Sequence, residues 1–219
     1  KKELEEMTEI DIALGNEEKK DIVQYVERFI EEENKLRAKE NLPLLTMEDI
    51  EKRDIILWIN EIMKNDEKAE ILLYGISMGG ATVLFTSGEK DLPSSVKAVI
   101  SDCAYTDVYS EIANTAKSIV PLPSFPLIDT ASAVCKIRGG YSFKEASVLE
   151  AVKKSTTPTL FIHGSADTFV PFSMLEELYS SASCEKDMLV IEGAAHARSA
   201  THNPEAYWGK IDSFLGVYF

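Results

Sequence analysis

The stretch Gly75-Ile76-Ser77-Met78-Gly79-Gly80 sets a serine hydroxyl among glycines, directly after the apolar run Ile71-Leu72-Leu73-Tyr74 and directly before Ala81-Thr82-Val83-Leu84. On a turn from strand to helix, a serine takes a strained backbone that lifts its hydroxyl above the sheet, and glycines let neighbouring segments approach. The chemistry such a residue serves is nucleophilic attack. Ser77 is therefore the candidate nucleophile, and the Met78 N–H, at the positive end of the following helix, is the candidate oxyanion donor. A serine hydroxyl alone is a weak nucleophile, so a base and a group that orients the base are also required. Both have candidates. Asp167 lies in His163-Gly164-Ser165-Ala166-Asp167-Thr168-Phe169-Val170-Pro171, and His196 ends Gly193-Ala194-Ala195-His196. Each follows an apolar run and falls in a loop at the carboxyl end of a strand, where α/β sheets assemble their sites.

The elements that must hold these loops are legible as a rhythm. Ile71 to Tyr74, Val96 to Ile100, Thr159 to Ile162 and Met188 to Ile191 read as buried parallel strands, with helices over Met78 to Ser87, Phe172 to Ala182 and Pro204 to Leu215. Residues 106–154 interrupt this order. Their prolines break helices, and their apolar content predicts a cap over a pocket, with Leu122, Phe125 and Leu127 pointing to an apolar acyl or aromatic group.

Residues 1–69 differ in kind from residues 70–219. Only Gly15 and Pro43 break residues 1–70, which hold 21 acidic and 12 basic residues, against 16 and 11 in the remainder. An acidic helical segment is expected here. Asn16 caps a helix reaching about Lys39, and Thr46 with Asp49 forms a capping box for a second, whose stripe Ile55, Trp58, Ile59 and Ile62 ends near Lys64. Before them, the alternation Thr8 to Leu14 suits a half-buried strand, or the acidic lead continues as helix.

The order Ser77, Asp167, His196 resembles that of α/β-hydrolases. With Tyr74 to Gly79, Ser101-Asp102-Cys103-Ala104-Tyr105-Thr106, Arg138 to Phe143 and His163 to Pro171, residues 70–217 are similar to the C-terminal half of the serine-aminopeptidase-like or esterase-like bacterial branch. The resemblance implies an α/β fold with a mainly parallel sheet flanked by helices. It also implies Ser77 as nucleophile, His196 as general base and Asp167 as its orienting acid. His163 is expected to be structural, His202 has no motif around it, and Asp102 is an alternative acid. Hydrolysis would pass through an acyl-enzyme, with neither metal nor organic cofactor.

Composition narrows the partners. A net charge of −14 repels phosphate backbones and anionic membrane surfaces, which excludes nucleic acid as an expected partner. No stretch approaches the roughly 18 apolar residues of a membrane span, and a cytoplasmic location is expected, with a signal or anchor upstream of Lys1 left open. Cys103, Cys135 and Cys184 are too few and too widely spaced for a disulfide framework or a Cys-x-x-Cys metal site.

Complete members of the resembled family place several strands before the elbow, one ending in a His-Gly loop that supplies a second oxyanion donor. Residues 1–69 contain no histidine and one glycine, so those strands are expected to be missing or replaced. The first strand then becomes a hydrophobic edge, open to pairing in a homodimer. Two functions follow: a serine hydrolase acting on ester or related small acyl substrates, or a weakly active or inactive hydrolase scaffold serving as a binding or assembly module.

Overall fold

The four apolar runs become four parallel strands, β1 Ile71–Ile76, β2 Val96–Asp102, β3 Thr159–Gly164 and β4 Lys186–Ile191, paired in the order β1-β2-β3-β4. This architecture comes from a computed structural model that describes residues 47–119, 124–139, 142–145 and 147–219. The expected strand over Thr8 to Leu14, the helix from Asn16, Thr46 of the capping box, and Leu122 lie outside the described residues. β1 and β2 run two residues past their apolar runs because pairing continues through Gly75↔Ser101 and Ile76↔Asp102.

Eight helices connect and flank the strands among the described residues: α1 Met47–Asn65, α2 Met78–Ser87, α3 Val108–Ile119, α4 Ser124–Gly139, α5 Val148–Val152, α6 Phe172–Ser181, α7 Ser199–His202 and α8 Pro204–Tyr218. Three of them lie among the described residues of the insertion. Phe125 near the start of α4 is extended, at φ −87° and ψ 134°, because a following proline disfavours the helical region. Asn203 caps α8 by accepting from the Ala206 N–H at 3.1 Å, with Pro204 at the first position, where its missing N–H costs nothing.

Alternation along the strands divides the core between the two sheet faces. Ile71, Leu73, Val99 and Phe161 pack with Leu84 of α2, Val148 of α5 and Leu175 of α6. Ala98, Ile100, Leu160 and Ile162 pack with Tyr207, Ile211 and Phe214 of α8. Helices on both faces explain why the strands read as continuous apolar runs rather than alternating ones.

Helix α1 joins the first of these clusters through Ile59, which is 2% exposed, with Ile55 and Met63 beside it. The expected stripe is rotated. Trp58 and Ile62 are exposed, and Ile56 is buried instead. Ile59→Ala should therefore destabilise the protein by about 2–5 kcal/mol through lost transfer energy and a residual cavity, a shift read from equilibrium urea unfolding. Among the described residues β1 pairs with β2 alone, and its Tyr74 and Ile76 are 40% exposed.

Candidate active site

The turn after β1 is forced into shape by close backbone approach. A side chain at Gly75 would place its Cβ 2.1 Å from the Gly79 carbonyl oxygen, so no other residue fits there. Ser77 follows at φ 56° and ψ −118°, a conformation strained for any side-chain-bearing residue. Its N–H donates to the Asp102 carbonyl at 2.8 Å, and its carbonyl accepts from the Ala81 N–H at 3.0 Å. Both ends of the strained residue are tied down, one to β2 and one to α2. Met78 opens α2, and the N–H groups of a helix's first turn have no intrahelical acceptor.

Two more residues with side chains carry positive φ beside this turn, Cys103 at 46° and Ala197 at 53°. Each follows a residue of interest, Asp102 and His196. Nothing in their residue types announces this conformation.

The loops after β3 and β4 are built against each other. A Cβ at Gly164 would lie 2.2 Å from the Ala194 carbonyl oxygen, and the Ala166 N–H donates to that same carbonyl at 3.0 Å. Ser165 Oγ accepts from the Gly193 N–H at 2.8 Å. Within its own loop, Asp167 Oδ1 accepts from the N–H groups of Phe169 and Val170, both at 2.9 Å, which fixes the carboxylate by a local turn.

These constraints bring Ser77, His196 and Asp167 into one line. Ser77 Oγ lies 2.9 Å from His196 Nε2, and His196 Nδ1 lies 2.8 Å from Asp167 Oδ2. A carboxylate accepts only, so Nδ1 carries the proton and Nε2 is left to accept from the serine hydroxyl. The Phe169 ring packs at 4.8 Å against the imidazole. Burial on its own would raise the Asp167 carboxyl, but hydrogen bonds from His163, His196 and the Val170 N–H outweigh it and hold the group below the usual carboxylate range.

His163 is more than a filler of the strand end. Fully buried, its Nε2 faces the Val170 carbonyl at 3.0 Å and Asp167 Oδ2 at 3.3 Å, so it donates to acceptors that frame the acid. Asp167 therefore holds two imidazoles. The four-residue spacing of His163, in β3, and Asp167, in the loop that follows, was the available signal, but only the folded turn aims both at each other.

Asp102 stands apart from this line. Its carboxylate accepts from Tyr207 Oη at 2.9 Å and Ser199 Oγ at 3.5 Å, and Tyr207 Oη in turn lies 2.8 Å from Tyr74 Oη. It links β2 to α7 and α8 rather than to His196. Burial dominates over these hydrogen bonds and pushes its carboxyl above the ordinary range. A raised carboxyl disfavours the charged form on folding, so the native state loses stability as pH rises through that carboxyl's pKa in the folded protein. Asp102→Asn should therefore gain stability relative to the parent as pH increases above about 4, measured as the difference between two urea-unfolding series.

Cys103, Asp167 and His196 present possible metal-ligand atoms within 4.8 Å of one another. They suit a metal poorly. Burial pushes the Cys103 thiol up to about 12, which keeps the thiolate from forming, and the other two atoms already bond each other.

Beside Ser77 opens a cavity of about 410 Å³, walled by Met78, Tyr105, Ile112, Ala116 and Phe169, with Glu111 and Thr115 as its polar members. Its apolar lining comes from Met78 at the start of α2, from α3 and from the loops. Phe125 and Leu127, expected to shape an acyl site, are 73% and 52% exposed and do not line it. Residue type within the insertion was legible, but which helix faces the serine was not.

Residues 46–219 match the prolyl oligopeptidase family, and the chain belongs to that family. The uncharacterized protein YqkD of Bacillus subtilis is 32% identical over 152 residues, which are 69% of this chain and 50% of the relative. The uncharacterized protein YfhR of Escherichia coli K12 is 32% identical over 126 residues, 58% of this chain and 38% of its own. The chain thus spans half or less of these relatives' length. Among solved structures, the Pyrococcus furiosus esterase Pf2001 superposes with a TM-score of 0.61 at 20% identity, covering 79% of this chain and 64% of that one. A Pyrococcus horikoshii acylaminoacyl peptidase superposes at 0.55 and 19% identity, covering 76% and 27%. The fold is that of the α/β-hydrolases.

Proposed function

We propose that the protein is a serine hydrolase that cleaves ester or related small acyl substrates through an acyl-enzyme. What supports this is the continuous relay Ser77 Oγ, His196, Asp167, at 2.9 and 2.8 Å. Ser77 attacks the acyl carbonyl as His196 Nε2 takes its proton, and Asp167 stabilises the imidazolium that forms. The Met78 N–H and the N-terminal end of α2 receive the negative charge on the carbonyl oxygen. His196 then protonates the leaving group, and water attacks the acyl-enzyme by the same steps in reverse.

Family membership fits this chemistry, and the apolar cavity beside Ser77 offers room for an acyl group. A fluorophosphonate probe tests the proposal directly. Stoichiometric labelling of the native protein, lost in Ser77→Ala, is the expected outcome. No labelling of the native protein would reject it and leave the scaffold function in its place.

A further inference from the structure

We propose that Glu111 makes the cavity beside Ser77 a site for substrates carrying a primary ammonium group near the scissile carbonyl, of which aminoacyl esters are the simplest. This inference rests on the hydrolase function above and names its substrate class.

Glu111 lies in the first turn of α3 and lines the same cavity as Ser77. Its Oε1 accepts from Thr115 Oγ1 at 3.0 Å, whereas Oε2 is buried and has no hydrogen-bond partner among the described residues. The surrounding wall is largely apolar: Met78, Ile112, Ala116 and Phe169. A carboxylate in such a place is costly unless it is paired. Burial raises the Glu111 carboxyl, the Thr115 hydroxyl and His196 oppose that, and Asp167 adds to it.

Local structure accounts for only part of the residue: the α3 dipole favours an acid in its first turn and Thr115 satisfies Oε1, but nothing local serves Oε2. Asp107 already caps α3, its Oδ1 accepting from the Ser110 N–H at 2.7 Å. Three of the insertion's five lysines, Lys136, Lys144 and Lys153, pair with other acids, Glu145, Asp129 and Glu150. An incoming ammonium group, by contrast, offers both the donor that Oε2 lacks and the charge that the half-buried carboxylate needs. A hydroxyl or amide N–H offers only the donor. The net charge of −14 also raises the local concentration of cationic substrates.

The test compares leucine methyl ester with methyl 4-methylpentanoate, which differs only by lacking the amine, at a pH where the amine is protonated. Native protein should favour the amino ester in kcat/KM, and Glu111→Gln should lower that preference by about 10–100-fold, as expected for loss of a charge-assisted bond. The ratio is insensitive to partial loss of folded protein, and Glu111→Asp should recover part of it. Fluorophosphonate labelling of Ser77 with no preference for the amino ester, whether both esters or neither are cleaved, overturns the ammonium site alone. An equal preference in native protein and Glu111→Gln does the same. No labelling rejects the hydrolase function and this inference with it.

Discussion

Ser77→Ala is expected to lower kcat for p-nitrophenyl ester hydrolysis by on the order of 10⁶-fold. The hydroxyl is the group that bonds the acyl carbon, and no other side chain takes its place in the relay to His196. Cys103, the nearest alternative in chemistry, is held as a thiol by burial and cannot substitute. His196→Ala should cost about as much, because an unassisted serine hydroxyl is a poor nucleophile. The double variant should then be scarcely slower than either single one, since residues acting as one unit do not add. Steady-state kinetics on the three variants checks all of this. Additive losses would mean that Ser77 and His196 act separately.

Asp167→Asn is expected to lower kcat by on the order of 10⁴-fold while leaving the backbone of the loop in place. An amide in that position can present its NH₂ to His196, which moves the imidazole proton to Nε2 and removes the acceptor that Ser77 needs. The effect is sharpened here because His163 also faces Oδ2. The Phe169 and Val170 N–H groups hold the amide oxygen at the Oδ1 position, so the NH₂ faces both imidazoles and accepts from neither. Stability supplies an independent readout. A carboxyl held below its ordinary range contributes stability that is present above its unfolded-state pKa and lost as pH falls through the folded value. Relative to Asp167→Asn, the parent should therefore lose stability as pH drops below about 4, followed by urea unfolding in acid.

Part of the site is legible in the sequence because its signals are short in range. The elbow needs Gly75 within a few residues of Gly79, and the Asp167 turn closes on the N–H groups two and three residues later. Strand type was equally local, since apolar runs bounded by glycine and proline mark buried strands. Length was less so. Pairing with a neighbour, rather than composition, carried β2 on through Ser101 and Asp102. In α1, helical periodicity was correct but its phase was not, because Trp58 and Ile56 are both apolar and only packing against the core chooses between them.

The residue order Ser77, Asp167, His196, with each residue after an apolar run, was set by the sequence alone, as were the elbow and the strand and helix types around it. Tertiary structure decided what those residues face. It joined His163 to Asp167, directed Asp102 to Tyr207 instead of His196, and put Glu111 rather than Phe125 against the cavity. The physical reason is one of range: a turn or a strand is selected by interactions over a few residues, whereas a shared carboxylate or a cavity wall depends on side chains dozens of residues apart, whose meeting is settled only when the sheet orders its strands and the helices pack.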